Sequence, residues 1–319
     1  MLPWHEAVRD DLLALADRGR LGHALLLHGP TGWGKRVLAR QLARALLGLA
    51  TPPVDAVRPG DEASDADLLT HPDARIVARE PSPTTGRLRT QITVDQIRDL
   101  AGFLARTSGA GGRRVVVLER AEELNVNAAN ALLKSLEEPG ADTHLLLVCD
   151  EPSRTLATIR SRCQARSLSP GSPAEARAWL VERLPATGAA EIDGLLELAG
   201  GAPLLALELE AEDAPALAAS VATFLEDGDP RDLVEPPGRL DPDAQRARAA
   251  RVLTFLYRSL AARIRDGRGA AATLEDQRVL ERVVGARRML ASTANPNVAL
   301  LLEDLLLPLA RRHRSTASG

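Results

Sequence analysis

The sequence predicts an α/β domain built on a parallel sheet, followed by two regions that are helical throughout. Three short apolar segments, 23–28, 115–118 and 145–148, alternate with amphipathic helical patterns, as expected for strands of a buried parallel sheet. A glycine-rich turn joins the first of these strands to its helix. Beyond about residue 168 the strand signals stop, and only helical spacing of apolar residues continues.

The change of pattern predicts three domains. Residues 1–168 form the α/β domain, residues 169–211 a small helical domain and residues 212–319 a second helical domain. Prolines and glycine in 169–173 mark the first boundary, and a Pro-, Asp- and Ala-rich stretch at 51–67 predicts a surface excursion. A fourth strand is expected at 75–78, and helices are expected at 4–18, 94–104, 128–136, 252–264 and 298–309.

Composition excludes several classes of protein. With 319 residues, 45% hydrophobic and 26% charged, the chain has an ordinary globular balance, and its net charge of −3 argues against a surface that binds nucleic acid throughout. The N-terminus lacks a basic leader and no stretch of about 18 apolar residues occurs, which predicts a cytoplasmic protein without a membrane span. The two cysteines, Cys149 and Cys163, cannot form a zinc site of paired cysteines.

The glycine-rich turn, Gly29-Pro-Thr-Gly-Trp-Gly-Lys35, has the strand–loop–helix context of a P-loop. Gly29, Gly32 and Gly34 supply the backbone cradle for phosphates, and Lys35 supplies the phosphate-binding lysine. The next position requires a hydroxyl that ligates Mg²⁺, but it is Arg36, which has no lone pair to offer and is expected to turn outward. Residual binding of ATP or ADP is compatible with this loop, whereas efficient hydrolysis is not.

The end of the second apolar strand is also altered. A hydrolysing P-loop protein of this kind needs an acidic pair there, one residue for Mg²⁺ and one for water, but the chain has Glu119-Arg120. Arginine cannot act as a base. We expect Glu119 and Arg120 to be solvated charges at a strand end rather than a metal site.

Residues 125–163 resemble the subunits of bacterial clamp loaders, the gamma, tau and delta-prime family of AAA+ proteins. The segment Ala128-Ala-Asn-Ala-Leu-Leu-Lys-Ser-Leu-Glu-Glu-Pro139 is similar to the stretch that follows the second strand throughout that family. Ser161-Arg-Cys163, about twenty residues later, is its signature triplet. Residues 18–27, 200–207 and 295–307 resemble the entry to the first strand, the start of a lid helix and the last collar helix.

The resemblance implies roles for individual residues. It implies an AAA+ P-loop domain followed by a helical lid domain and an all-helical collar, and it makes Arg162, between Ser161 and Cys163, an arginine finger that acts on a neighbouring subunit. Four catalytic positions of the motor subunits are changed, namely Arg36, Arg120, Cys149 at the sensor 1 position and Leu205 at the sensor 2 position. A retained finger beside a lost site is the pattern of the delta-prime branch.

The resemblance further implies partners. These are gamma or tau and delta subunits in a heteropentamer, with the sliding clamp and primer–template DNA reached through the complex. Relatives carry a four-cysteine zinc module before a Thr-His-Pro-Asp sequence; here Thr70-His-Pro-Asp73 is present, but 49–69 contains no cysteine. Neither a metal nor a required cofactor is expected, and the histidines at 23, 28, 71 and 144 are expected to be structural. The basic pairs 113–114 and 287–288 are expected to be solvated rather than DNA contacts.

Three alternatives stay open on the residues alone. The first is a functional ATPase of the gamma or tau kind, against which Arg36 and Arg120 argue. The second is a scaffold that makes no contribution to a neighbour's catalysis, against which the Ser-Arg-Cys triplet argues. A P-loop kinase is a more distant third, because nothing resembles an acceptor site.

Overall fold

The computed structural model describes residues 2–50, 65–84, 86, 88–106, 112–211, 214–227, 229–234, 242–265, 270–291 and 296–316. The chain divides into two compact units, Met1–Ala206 and Leu207–Gly319. No helix in these described ranges is long and apolar enough to cross a membrane.

The first unit is built on one parallel sheet of five strands in the order β2-β3-β4-β1-β5. The strands are β1 (Ala24–His28), β2 (Ala74–Val77), β3 (Arg114–Leu118), β4 (Thr143–Cys149) and β5 (Gln164–Ser167). The predicted parallel sheet is therefore confirmed, and of its five strands only β5 was not predicted. Its residues, Gln-Ala-Arg-Ser, are mostly exposed at the sheet edge, so it joins β1 by backbone pairing and leaves no apolar signature.

Helices cover both faces of this sheet, which is why its central strands are apolar without interruption. The helices of this part are α1 (Glu6–Asp17), α2 (Lys35–Leu46), α3 (Ala66–Thr70), α4 (Val94–Leu104), α5 (Val126–Glu137) and α6 (Ala157–Arg160). Leu25 and Leu27 of β1 pack on one face with α1 and α2, whereas Ala24 and Leu26 pack on the other with α4 and α5.

The predicted surface excursion lies mostly outside the described residues. Of its last three residues, Ala66 and Asp67 are exposed, whereas Asp65 is buried. The prediction is therefore wrong for Asp65, whose charge is neutralised by arginines of α2. Leu68 of α3, which follows the excursion, is only 1% exposed in the core beside α2.

Three helices complete the first unit and begin the second: α7 (Pro173–Arg183), α8 (Ala189–Leu198) and α9 (Pro203–Ala211). Ser172 and Glu175 form a capping box, and Pro173 occupies the first turn of α7. Contacts place α7 and α8 in the same compact unit as the sheet. A separate helical domain at 169–211 remains a prediction.

The second unit is helical in every described element, as predicted. Its helices are α10 (Ala214–Asp227), α11 (Arg231–Val234), α12 (Pro242–Arg265), α13 (Ala270–Ala291) and α14 (Val298–Thr316). Helix α12 contacts α10, α13 and α14, and the fully buried rings of Phe224 and Phe255 lie in the core of this unit. Leucines and valines supply most of the remaining core.

Candidate functional site

The loop between β1 and α2 keeps the backbone shape of a phosphate-binding loop. Gly32 and Gly34 adopt left-handed φ angles of +80° and +84°, which side-chain-bearing residues rarely adopt. Space is also limited, because a β-carbon on Gly34 would lie 2.1 Å from Leu2 Cδ1, and one on Gly29 would lie 2.5 Å from the Leu168 carbonyl oxygen. The glycines are therefore required by geometry whether or not phosphate binds.

Lys35 is engaged by the protein itself. Its Nζ donates to the Pro30 carbonyl oxygen at 2.6 Å and forms an ion pair with Asp150 Oδ1, also at 2.6 Å. Thr31 donates to the second oxygen of Asp150 at 3.1 Å. The lysine side chain is 3% exposed, and the ion pair with Asp150 neutralises its charge inside the loop.

His5 lies in the buried environment next to this lysine. The residue is 1% exposed, and neither ring nitrogen has a hydrogen-bond partner. Burial, and after it the charge of Lys35, lowers the pKa of His5 to about 4. The imidazole is therefore neutral at pH 7.

Glu119, directly after β3, is not a solvated charge, and that prediction is wrong. The residue is 6% exposed, and its Oε1 accepts from Arg40 Nε at 2.9 Å and from Nη2 at 2.6 Å. Arg40 also pairs with Asp65. Burial disfavours the charged form of Arg40, but the carboxylates of Glu119 and Asp65 outweigh this effect and raise its pKa. Neutralisation by Arg40 is what allows Glu119 to be buried.

The side chains of Arg36 and Arg120 are in contact with solvent, as predicted. The Arg36 side chain is 46% exposed, with Nη1 3.7 Å from Glu119 Oε2. Arg120 is 38% exposed, has a left-handed φ of 55° and pairs with Glu123 at 3.2 Å. Both side chains therefore place cations around the Glu119 end of the site.

The two sensor positions supply no polar group towards the loop. Cys149 ends β4 in the core, with Sγ 3.3 Å from Thr155 Oγ1, and burial raises the pKa of its thiol to about 11. Leu205 packs with Trp33 and Ala202 in an apolar cluster, and its Cβ would be 2.8 Å from a β-carbon on Gly32. An apolar wall therefore stands against the loop at the sensor 2 position.

These residues do not fit Mg²⁺. The cationic side chain of Arg36 occupies the position where a metal-ligating hydroxyl is needed. The carboxylate of Glu119 is already bound by Arg40. Elsewhere in the described ranges, no cluster of three or more His, Cys, Asp or Glu could hold a metal ion. His23 bonds to the Leu136 carbonyl oxygen at 2.9 Å, and His71 accepts from the Asp73 amide at 3.1 Å, both local structural contacts.

Arg162 lies apart from the P-loop contacts, in the turn between α6 and β5. Its Nε donates to Glu137 Oε1 at 2.7 Å, its Nη2 lies 2.5 Å from the same oxygen, and its Nη1 donates to the Thr158 carbonyl at 3.1 Å. Ser161 donates to the same carbonyl, and Cys163 packs partly buried against the core. The triplet thus anchors a turn from which a side chain 35% exposed projects.

Of the two basic pairs, Arg287 and Arg288 are exposed as expected, whereas Arg114 is not. Arg114 is 5% exposed, and it donates to the Leu104 carbonyl at 2.8 Å with its guanidinium 5.2 Å from the Phe103 ring centre. Arg287 lies 5.3 Å from the ring centre of Tyr257. The prediction is wrong for Arg114, because its stem and guanidinium pack on an aromatic ring instead of standing in solvent.

Sequence reasoning missed the ion pairs that hold the site residues. Arg36, Arg40 and Arg44 recur every four residues on α2, and this spacing places them on one helix face. That periodicity is a signal visible in the sequence. The partner carboxylates come from distant segments, and nothing in the sequence pairs them with these arginines.

Together, the parallel sheet order, the P-loop and the helical second unit define an AAA+ protein. The chain resembles the crystal structure of a DNA polymerase III gamma subunit-related protein from Thermotoga maritima, with a TM-score of 0.52 and 19% identity over 95% of this chain and 99% of that one. That likeness supports the fold alone.

Sequence comparison is more specific. A family model described as DNA polymerase III, delta subunit, matches residues 4–172. The chain is 44% identical over 213 residues to the DNA polymerase III subunit delta' of Pseudomonas aeruginosa, covering 66% of this chain and 61% of the relative. It is 32% identical over 326 residues to the subunit delta' of Escherichia coli, covering 96% and 94%. The chain belongs to the family of DNA polymerase III delta' subunits.

Proposed function

We propose that this protein is a non-hydrolysing subunit of a clamp loader that helps to place the sliding clamp on primed DNA. The observation that carries the proposal is the contrast between two sites. The charges of Lys35 and Glu119 are neutralised in buried ion pairs, whereas Arg162, which pairs with Glu137, keeps a side chain that is 35% exposed. The first arrangement disables hydrolysis in cis, and the second suits action in trans.

Loss of hydrolysis follows from the chemistry of the P-loop site. Phosphoryl transfer needs Mg²⁺ on the phosphates and a residue that orients water. Arg36 stands at the position of the metal ligand, and Arg120 at the position of the water-orienting acid. Function here requires no cofactor, and ATP or ADP would compete with Asp150 for the charge of Lys35.

The proposed action in trans uses the guanidinium of Arg162. Directed at the γ-phosphate held by a neighbouring gamma or tau subunit, it would offset the negative charge that develops during phosphoryl transfer. Fingers of this kind accelerate hydrolysis by roughly 10³–10⁵-fold. The chain would thus complete a neighbour's site while lacking one of its own.

The partners follow from the same role. We propose gamma or tau and delta subunits in a heteropentamer, with the clamp and primer–template DNA contacted through the assembled complex. Bacterial DNA lies in the cytoplasm, so this role also places the protein there. Family membership, together with the surface position of Arg162, supports these partners.

The decisive experiment measures ATP hydrolysis by the complex reconstituted with motor subunits of the same organism. Arg162→Ala should lower the rate of hydrolysis at the interface that it completes at least tenfold, because that site loses its finger, and the turnover of the complex should fall accordingly. The isolated wild-type chain should release no phosphate above background. The matched control is Arg154→Ala, another partly exposed arginine of the first unit, which pairs with Glu151 of its own segment.

Two results would contradict the proposal. Substantial turnover by the isolated chain would show that its own site works. Wild-type hydrolysis by a fully assembled Arg162→Ala complex, with assembly verified by gel filtration, would show that Arg162 is not an arginine finger.

A further inference from the structure

The end of helix α5 and the turn that carries Arg162 are joined by one ion pair. Glu137 is the last residue of α5, and its Oε1 accepts a hydrogen bond from Arg162 Nε at 2.7 Å. Arg162 Nη2 lies 2.5 Å from the same carboxylate oxygen. On the other side, Arg162 Nη1 donates to the Thr158 carbonyl oxygen. The guanidinium is therefore held from two sides by different segments, α5 and α6.

This arrangement leaves part of the guanidinium available. Arginine carries five N–H donors in a planar fork. The contacts with Glu137 and Thr158 engage at most three of them, so at least one N–H on each terminal nitrogen remains for an acceptor outside the chain. N–H groups on the terminal nitrogens of a guanidinium are suited to phosphate oxygens.

The position of Glu137 is unfavourable on local grounds. A carboxylate in the last turn of a helix meets the negative end of the helix dipole. Glu138 follows immediately, so two carboxylates adjoin that end of α5. A cation placed beside Glu137 offsets this repulsion. The negative potential at the end of α5 therefore favours binding of the Arg162 guanidinium there.

We propose that Glu137 is a positioning residue for the arginine finger, an inference that rests on the proposed function. A long arginine side chain loses conformational freedom when it engages a phosphate. Holding it beforehand removes part of that cost and directs the free N–H groups outward. Glu137 touches neither nucleotide nor reacting atoms and acts through Arg162 alone.

The test compares two neighbouring glutamates in the reconstituted complex. Glu137→Ala should lower kcat for ATP hydrolysis about tenfold with little change in KM, because misplacement of a catalytic group lowers the rate of the chemical step. Glu137→Gln, which keeps an acceptor oxygen, should recover part of that loss. Glu138→Ala is the matched control, since Glu138 is exposed and forms no ion pair with Arg162.

A double-mutant cycle separates positioning from a merely structural effect. In an Arg162→Ala background, Glu137→Ala should cause no further loss, and the thermal midpoint of the free subunit should stay within a few degrees of wild type. Equal losses in both backgrounds, or an increase in kcat on Glu137→Ala, would overturn the positioning role. If Glu137→Ala is silent while Arg162→Ala is impaired, this inference fails and the proposed function stands. If Arg162→Ala is silent, the proposed function itself fails.

Discussion

His5 is a residue whose protonation is linked to folding. Its ordinary pKa of 6.5 falls to about 4 in the folded chain, because burial and then Lys35 disfavour the imidazolium. Between these values the unfolded chain binds a proton that the folded chain does not. Stability therefore falls as the pH falls from 6.5 towards 4, and above 6.5 the group contributes no pH dependence.

We expect His5→Leu to remove this pH dependence. From pH 7 to pH 5, the free energy of unfolding of the first unit should fall by about 2 kcal/mol more in the wild type than in the variant. Urea denaturation followed by tryptophan fluorescence measures the free energy of unfolding of the first unit. All three tryptophans of the chain, Trp4, Trp33 and Trp179, cluster in this unit. Identical pH slopes in the two proteins would argue against a buried neutral imidazole.

At the scale of elements, one face of α2 binds the acidic ends of two other segments. Arg40 pairs with Glu119 after β3 and with Asp65 before α3, while Arg44 pairs with Asp67 at 2.5 Å. The helix that should carry the metal-ligating hydroxyl carries instead a row of cations. Their ion pairs connect the end of β3 and helix α3 to α2. The residues around the P-loop position thus stabilise the fold.

Arg40→Met should destabilise the first unit by about 3 kcal/mol, because it leaves Glu119 and Asp65 buried with weaker partners. Adding Glu119→Gln to that variant should restore part of the loss. Arg36→Met is the control and should lower the free energy of unfolding by less than about 1 kcal/mol. The Arg36 side chain is 46% exposed, and its contact with Glu119 is long, at 3.7 Å. Urea denaturation at pH 7 measures all three. Additive effects of the Arg40 and Glu119 changes would contradict a direct pair.

Over the whole molecule, the loss of hydrolysis that we propose does not rest on one substitution. Lys35 is bound by Asp150 at the end of β4, Glu119 by Arg40 of α2, and an apolar wall from α9 includes Leu205. Each change lies on a different element, and each is stabilised by its own packing or ion pair. Reversal of single positions therefore leaves the others in place.

Arg36→Thr combined with Arg120→Glu should not restore hydrolysis. Both substitutions return side chains that phosphoryl transfer needs, but Glu119 stays paired with Arg40 and Lys35 with Asp150. Phosphate release by the isolated double variant should remain at background, with an isolated motor subunit as the positive control. Turnover that appears in the double variant and is abolished by Lys35→Ala would show that only two positions had silenced the site.

Most of the first unit's architecture could be predicted because its signals are local. Helix α4 was expected at 94–104 and is found at Val94–Leu104, since Thr93 and Gln96 form a capping box at its start and apolar spacing defines its core face. The polar strand β5 could not be predicted, because only its neighbour β1 gives it extended structure. The burial of Arg114 was missed for a similar reason, as its partners are a ring and a carbonyl supplied by α4.

By itself the sequence determined the chemistry available at each site position. An arginine at 36 cannot ligate magnesium in any fold, and the Ser161–Cys163 triplet names the finger candidate without coordinates. Only the tertiary structure decided which charges meet. Arg40 and Glu119 are 79 residues apart and Arg162 and Glu137 are 25 apart, so packing rather than local sequence brings these pairs together. Burial of a charge depends on such a partner, and for that reason Glu119 could be placed in the core only once Arg40 was seen beside it.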